Sequence, residues 1–196
     1  MPREWNTAES RLRLPFRAAA ASEGYDGLGT LPVVVLLDDV RSLYNVGAFF
    51  RTADAVGIER LLLSGITASP PHRGLAKTAL GAEESVRWET VPDAVARVAD
   101  LRNAGHEVVA IETGAASIDL FEWRPAFPVC VVFGHEVHGV RRELLETVDA
   151  RVCLPMRGTK HSLNVATAGG VVLYELLRKY RLAHSQLAAH NRTGEP

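Results

Sequence analysis

The fold is decided by residues 33–57, which read VVVLLDDVRSLYNVGAFFRTADAVG. The five apolar residues at the start are typical of a buried strand, which the two aspartates bring to an end. Apolar residues then recur at helical spacing, so we expect a helix over residues 44–56 with Gly57 just beyond its end. The stretch therefore predicts a strand, a polar loop and a helix in succession.

The rest of the chain repeats this alternation. We expect strands over residues 61–63, 107–111, 129–133 and 151–154, helices over 91–101, 141–147 and 162–180, and a loop over 68–74. Such an order predicts an α/β domain with a mostly parallel sheet flanked by helices. We assign residues 31–182 to this domain, residues 1–30 to an N-terminal helical arm and residues 183–196 to a C-terminal tail.

Ligands of open α/β sheets bind beyond the carboxyl ends of the strands. Three loops of unusual composition fall at such ends, over residues 38–45, 134–139 and 155–161. We therefore expect the functional site where these loops meet.

Composition sets limits on the class of protein. The chain has 196 residues, of which 47% are hydrophobic, as expected for one globular domain with a sizeable core. No apolar run is long enough to cross a bilayer and the N-terminus has no signal peptide, so we expect a cytoplasmic protein without a membrane partner. Cys130 and Cys153 lie in apolar runs and are expected to be buried, reduced thiols; a nucleophile or a disulfide is the alternative.

Charge leaves the kind of partner open. A formal net charge of −1 argues against nucleic acid, because phosphate binding favours a basic surface. Cations nevertheless concentrate near both ends of the chain, including Arg11, Arg13, Arg178 and Lys179. A basic surface on an overall neutral protein is therefore compatible with the sequence.

Several familiar motifs are absent. Gly24, Gly27 and Gly29 precede a strand, whereas a dinucleotide-binding motif follows one. Residues 158–162 read GTKHS and lack the spacing of a phosphate-binding P-loop. Residues 135–138 read HEVH, one residue short of the zinc-protease spacing and in a loop, so we expect no metal site; a metallohydrolase remains the alternative.

The three loops carry the candidate residues. Asn45 is placed to cap the helix that follows it, and Ser162 to cap the long C-terminal helix, with Asn164 in its first turn. Arg51 lies among apolar residues and needs an anionic partner or access to solvent; a structural salt bridge to Asp54 or Glu136 is the alternative. The loop around Glu136 is bracketed by glycines, and on its own it also fits a plain turn.

Three motifs occur in order along these loops. Residues 45–53 read NVGAFFRTA, residues 133–139 read FGHEVHG, and residues 154–165 read LPMRGTKHSLNV, with YE following at 174–175. Together with KTALGA at residues 77–82, they resemble the SpoU/TrmH family of RNA ribose 2′-O-methyltransferases in the SPOUT superfamily. The resemblance covers nearly the whole of residues 31–179.

The resemblance implies a fold and an assembly that periodicity cannot supply. SPOUT domains thread their C-terminal segment through a loop to form a trefoil knot, a feature that is otherwise nearly absent from proteins. The family is typically homodimeric, with the active site at the subunit interface. We therefore expect a C-terminal knot and a homodimer.

The resemblance also implies the cofactor, S-adenosylmethionine, and the residues of the site. Cofactor binding is expected from the knot region, through Ile111, Thr113, Gly134, Leu154, Met156, Ser162 and Leu163. Arg51 is expected to act from the partner subunit, and Asn45, Glu136 and Asn164 to position it and the target nucleotide. No metal is implied.

The substrate implied is a ribose in tRNA or rRNA, and the sequence does not say which. Many relatives carry an added N-terminal RNA-binding domain, whereas only a short arm precedes the first strand here. We therefore expect RNA to be bound by the terminal helices and by Arg41, Arg73, Lys77 and Lys160. A non-catalytic RNA-binding module on the same fold is the alternative, which loss of Arg51 or of the third motif would have favoured.

Overall fold

The structure is a computed structural model that describes Tyr25, residues 28–114 and residues 116–193, with side chains to residue 185. The strands are β1 (Leu31–Asp38), β2 (Ile58–Ser64), β3 (Trp88–Val91), β4 (Glu107–Ile111), β5 (Ile118–Asp119), β6 (Val129–Phe133) and β7 (Ala150–Cys153). The helices are α1 (Leu43–Val56), α2 (Arg73–Ala79), α3 (Ala82–Ser85), α4 (Ala94–Asn103), α5 (Arg142–Leu145) and α6 (Val165–Thr193). The predicted N-terminal arm lies almost entirely outside the described residues.

The strands form one sheet in the order β3-β2-β1-β6-β4-β7-β5, and every neighbouring pair is parallel. This confirms the predicted parallel α/β fold. In the register of β1, Leu37 lies beside Phe133 and Asp38 beside Ser64, so β1, β2 and β6 end at the same level. The loops that follow the strands therefore meet at one edge of the sheet.

Helices cover both faces of the sheet because the side chains of each strand alternate between them. Val33, Val35 and Leu37 of β1 pack with residues of α1, α2 and α6, whereas Val34 and Leu36 pack with residues of α4 and α5. Residues Thr30–Tyr180 form one compact unit. None of the helices in the described part of the chain is long and apolar enough to cross a membrane.

Gly47 allows α1 and α2 to pack closely. A Cβ atom at this residue would lie 2.7 Å from the carbonyl oxygen of Leu75 and 2.7 Å from Oγ1 of Thr78. Contacts that short are not tolerated, so any larger residue would push the two helices apart.

The predicted boundaries differ from the structure mainly around residues 68–101. A helix, α2, begins within the predicted loop, and the predicted helix over 91–101 is instead the end of β3 followed by α4. Asp93 caps α4 by accepting hydrogen bonds from the backbone N–H groups of Val95 and Ala96. Pro92 precedes the cap and lies outside the helix, so the predicted start of this helix at residue 91 was wrong.

The C-terminal helix also differs from its prediction. It begins at Val165 rather than Ser162 and continues past residue 180 to Thr193, through most of the predicted tail. Asn164 caps it, because its Oδ1 accepts hydrogen bonds from the backbone N–H groups of Ala166 (3.0 Å) and Thr167 (3.2 Å). Ser162 was therefore wrong as the cap.

Candidate active site

A pocket of about 420 Å³ opens at the edge where β4, β6 and β7 end. Its walls come from the residues that follow these strands and from the first turn of α6. All seven residues predicted to bind the cofactor line it: Ile111, Thr113, Gly134, Leu154, Met156, Ser162 and Leu163. Residues from three separate loops thus share one cavity.

Three of the four residues predicted to be catalytic form a hydrogen-bonded chain beside this pocket. Asn45 Nδ2 donates to Glu136 Oε1 at 2.9 Å, and Asn164 Nδ2 donates to Asn45 Oδ1 at 3.1 Å. We call Asn45, Glu136 and Asn164 the amide–carboxylate network. It joins the loops after β1, β6 and β7, and Glu136 and Asn164 also line the pocket.

The network can form because the residue that caps α1 is not the one predicted. Ser42 caps α1 by accepting a hydrogen bond from the backbone N–H of Asn45, and Asn45 lies within the helix. Asn45 was therefore wrong as the cap. Its side-chain amide is left free to bridge Glu136 and Asn164.

Glu136 is held ionised by its neighbours. Partial burial acts to raise the pKa of this carboxyl, but hydrogen bonds from the backbone N–H groups of Ser42 and Arg41 and from Asn45 outweigh it, so the pKa is lowered. Because these donors belong to the loop after β1 and the start of α1, the carboxylate fixes the loop after β6 against them.

The loop after β6 has a tight backbone. His135 and Gly139 exchange two backbone hydrogen bonds, of 3.0 and 2.8 Å, and Gly139 has a φ of 70°, which favours glycine. A Cβ atom at Gly134 would overlap the backbone of Gly139. Both bracketing glycines are therefore needed for this loop to close beside the pocket.

Glu112, which the sequence analysis did not single out, supports the same loop from β4. Its Oε2 accepts a hydrogen bond from the backbone N–H of Val140 at 2.8 Å, and its Oε1 accepts one from Thr113 at 3.0 Å. Glu112 also lines the pocket. Its position directly after a predicted strand was the available signal, since strand ends in a parallel sheet face the ligand.

Asp38 and Arg141 form an ion pair that fixes the C-terminal end of the loop after β6. Arg141 Nε lies 2.9 Å from Asp38 Oδ2, and the aspartate is only 1% exposed at the end of β1. Burial raises the pKa of Asp38, against the opposing effects of Ser64 and Arg141. This pair was also missed, because nothing in the local sequence connects residues so far apart.

The two histidines of the HEVH segment, His135 and His138, pack against each other. His135 Nδ1 accepts hydrogen bonds from the backbone N–H groups of Val137 and His138, and the two imidazole rings lie 4.7 Å apart. Within the residues that the structure describes, no group of three His, Cys, Asp or Glu side chains could hold a metal ion.

The two cysteines differ in environment, and both are free thiols. Cys130 is fully buried in β6, and this burial raises its pKa to about 12. Cys153 is partly exposed and lines the pocket. Burial, followed by the nearby Asp119, raises the pKa of Cys153, so neither thiol is activated as a nucleophile.

Arg51 stands apart from the network. Its side chain is exposed on α1, does not line the pocket, and forms no hydrogen bond or ion pair within the described part of the chain. The two alternative partners are engaged elsewhere: Asp54 accepts a hydrogen bond from Ser85, and Glu136 belongs to the network. Helical spacing places Arg51 on the same outward face as Tyr44, which is 64% exposed.

The residues predicted to bind RNA are all exposed and lie outside the pocket. Arg73 and Lys77 are on α2, Arg41 lies in the loop after β1, and Lys160 lies in the loop before α6. Among the described residues that line the pocket, two are carboxylates and none is lysine or arginine. The cations predicted to bind RNA therefore lie outside the pocket.

Proteins with assigned activities are similar to this chain in sequence. It is 34% identical over 154 residues to a 23S rRNA (guanosine-2′-O-)-methyltransferase, RlmB, of Ralstonia nicotianae, a match that covers 79% of this chain and 61% of the relative. A tRNA (guanosine(18)-2′-O)-methyltransferase of Aquifex aeolicus is 31% identical over 149 residues, covering 75% of this chain and 69% of that relative. The chain thus spans about three fifths of the length of its RlmB relatives.

Solved structures share the fold. A TrmH/SpoU tRNA modifying enzyme of Aquifex aeolicus superposes with a TM-score of 0.73 at 29% identity, covering 80% of this chain and 79% of the other. An AdoMet-bound rRNA methyltransferase of Sinorhizobium meliloti gives a TM-score of 0.70 at 31% identity, covering 74% and 56%. The profile of the SpoU rRNA Methylase family matches residues 32–174, so the chain belongs to this family, as its three motifs predict.

Proposed function

We propose that this protein transfers a methyl group from S-adenosylmethionine to a ribose 2′-hydroxyl of tRNA or rRNA in the cytoplasm. The observation that carries the proposal is the amide–carboxylate network, which joins all three motif loops beside a pocket lined by the seven predicted cofactor residues. The descriptions of the relatives support the same reaction, since they are 2′-O-methyltransferases of rRNA and tRNA.

The lining of the pocket fits this cofactor. Ile111, Leu154 and Met156 offer apolar surface for a nucleoside, and backbone groups near Gly134 are accessible to it. Two carboxylates without a lysine or arginine disfavour a polyphosphate and favour a ligand that carries positive charge. The sulfonium of S-adenosylmethionine provides such a charge.

The bound cofactor would supply a methyl group on a positively charged sulfur, a group already activated for displacement. The protein has to bring a ribose hydroxyl into line with it and accept the hydroxyl proton. The network is suited to the first task, because its side chains are fixed by one another before any ligand binds.

Arg51 is suited to assist the second task, acceptance of the hydroxyl proton, by holding a phosphate of the RNA. A guanidinium remains protonated in proteins, so it does not act as a free base; it can hold a phosphate of the RNA through two parallel hydrogen bonds. That phosphate then lies beside the hydroxyl and helps to receive its proton. The lack of an internal partner within the described residues leaves Arg51 available for this contact.

We further propose a homodimer in which Arg51 serves the pocket of the partner subunit, and a C-terminal trefoil knot around the pocket. The exposed outward face of α1, which presents Arg51 and Tyr44, supports such a contact. Arg51 does not line the pocket of its own chain, and a second copy would supply it.

Transfer of tritium from labelled S-adenosylmethionine to RNA tests the reaction, and the protection of a 2′-O-methyl site against alkaline cleavage locates it. Mapping such sites in RNA from a deletion strain identifies the nucleotide. A wild-type protein that binds RNA but transfers no methyl group would favour the non-catalytic module instead, and stoichiometric zinc in the purified protein would favour the metallohydrolase.

Mixing two inactive variants tests the dimer. Arg51→Ala removes the cation, and Gly134→Ala forces the pocket loop against Gly139. Random exchange of subunits makes half of the dimers mixed, each with one complete site, so activity should return to about a quarter of the wild-type value. A mixture that stays inactive while both variants form mixed dimers would contradict the shared site.

A further inference from the structure

Glu112 lines the pocket from a fixed backbone. The N–H of Glu112 donates to the carbonyl of Val152 at 3.0 Å, and Ser117 Oγ donates to the carbonyl of Glu112 at 2.9 Å. The residue therefore continues the sheet beyond the end of β4, and its side chain starts from a rigid position.

Glu136 and Glu112, the two carboxylates of the pocket, each accept three hydrogen bonds, but from different parts of the chain. Glu136 accepts three hydrogen bonds, from the N–H groups of Arg41 and Ser42 and from Asn45. Glu112 accepts one short bond at each oxygen, from Val140 and from the N–H of Thr113, with Thr113 Oγ1 at 3.5 Å. Among the described residues, Oε2 of Glu112 accepts only from Val140, and since a carboxylate has about four acceptor positions, Glu112 keeps one for a donor in the pocket.

We infer that Glu112 binds the nucleoside of the cofactor by accepting a hydrogen bond from a ribose hydroxyl. Resting on the proposed function, this inference names a residue that recognises the nucleoside. In the dinucleotide-binding α/β fold, an acidic residue accepts a hydrogen bond from a ribose hydroxyl of the cofactor, and Glu112 after β4 offers the same kind of acceptor here. The half-buried Glu112 lies beside Ile111, whose apolar side chain also lines the pocket.

Glu112 could bind the ribose of the cofactor or only support the loop after β6, and the two roles can be distinguished. If Glu112 only held Val140 in place, its replacement would weaken every ligand of the pocket by the same factor. If it accepts a hydrogen bond from the ribose, its replacement weakens only ligands that carry the hydroxyl. A thermodynamic cycle between the residue and the hydroxyl distinguishes the two roles.

The experiment measures the affinities of S-adenosylhomocysteine and its 2′-deoxy and 3′-deoxy analogues by calorimetry, for the wild type and for Glu112→Gln. The glutamine keeps one acceptor oxygen for Val140, so the loop retains its anchor. We expect the wild type to bind at least one deoxy analogue about tenfold more weakly than S-adenosylhomocysteine, as for a hydrogen bond to a charged acceptor. Glu112→Gln should bind S-adenosylhomocysteine about tenfold more weakly and no longer distinguish that analogue.

The exposed Glu122, which does not line the pocket, provides the control, and Glu122→Gln should behave as wild type. Equal loss for the deoxy analogue in the wild type and in Glu112→Gln would overturn the inference while leaving the proposed function intact. So would a wild type that binds all three ligands equally. A wild type that binds none of them would overturn both, and thermal unfolding of each variant shows that it is folded.

Discussion

Asn45 and Arg51 lie six residues apart on one helix and differ in what they contact. The amide of Asn45 uses both of its ends, donating to Glu136 and accepting from Asn164. Arg51 is exposed and contacts no charged or hydrogen-bonding group in the part of the chain that the structure describes. One helix thus carries a side chain that is satisfied internally and another that is not.

The difference separates two parts of the site. The network is complete within the chain, so it can hold the three loops in place before any ligand arrives. Arg51 is exposed to solvent and has no partner within the described residues, so its guanidinium is available to an anion from outside the chain, such as an RNA phosphate. Variants of the two regions should therefore fail in different ways.

The largest effect is expected from Arg51→Ala. Loss of the guanidinium removes a charged contact made at the reacting hydroxyl, so methyl transfer should fall about a thousandfold. The affinity for S-adenosylmethionine should remain within about twofold, because Arg51 does not line the pocket. Tritium transfer to RNA and calorimetric titration of the cofactor measure the two quantities.

Arg51→Lys provides the matched variant. It keeps the charge but loses the paired hydrogen bonds, so its rate should fall between those of Arg51→Ala and the wild type. A wild-type rate for Arg51→Ala would show that the assignment of Arg51 is wrong. A parallel loss of cofactor affinity would indicate that Arg51 supports the pocket instead.

A smaller, pH-dependent effect is expected from the network. The folded-state pKa of Glu136 is lowered, so the ionised carboxylate contributes stability above its unfolded pKa of about 4.3, and this contribution is lost as the pH falls through the folded pKa. Glu136→Gln should therefore lower the free energy of unfolding at pH 7 by about 1 kcal/mol, an amount reduced by partial exposure. The difference from wild type should shrink below about pH 4.

Chemical denaturation across this pH range measures the effect. The exposed Glu143 of α5 supplies the control, and Glu143→Gln should change stability little at any pH. A difference between wild type and Glu136→Gln that does not vary with pH would contradict a role for the ionised carboxylate.

The convergence of the three loops could be predicted from the sequence because a parallel sheet places all carboxyl strand ends at one edge. The bonds within the site could not. Ser42 and Asn45 are both good capping residues, and the choice between them is made by partners of Asn45 that lie 91 and 119 positions away. Local sequence carries no information on contacts at such separations.

Other differences have local causes. The four-residue edge strand β3 is recognisable mainly through its pairing with β2, so no strand was predicted over residues 88–90 and the predicted helix began at Val91. The extension of α6 was predictable, since residues 181–193 contain neither proline nor glycine to end the helix. Glu112 gave only the weak signal of one acidic residue after a strand.

The smallest effect is expected from the cations outside the pocket. Arg73 and Arg87 are both exposed arginines; Arg73 lies on α2, and Arg87 directly precedes Trp88 of β3, which shares a surface cavity with Arg73. If α2 contacts RNA, Arg73→Ala should weaken RNA binding a few-fold and reduce the slope of log affinity against log salt by about 0.7 to 0.9, as for one lost phosphate contact. Arg87→Ala should change neither. Filter binding at several salt concentrations measures both slopes, and a wild-type slope for Arg73→Ala would remove this residue of α2 from the RNA-binding surface. Such a result would leave Arg51, Arg41 and Lys160 as candidate contacts to RNA, because none of them lies on α2.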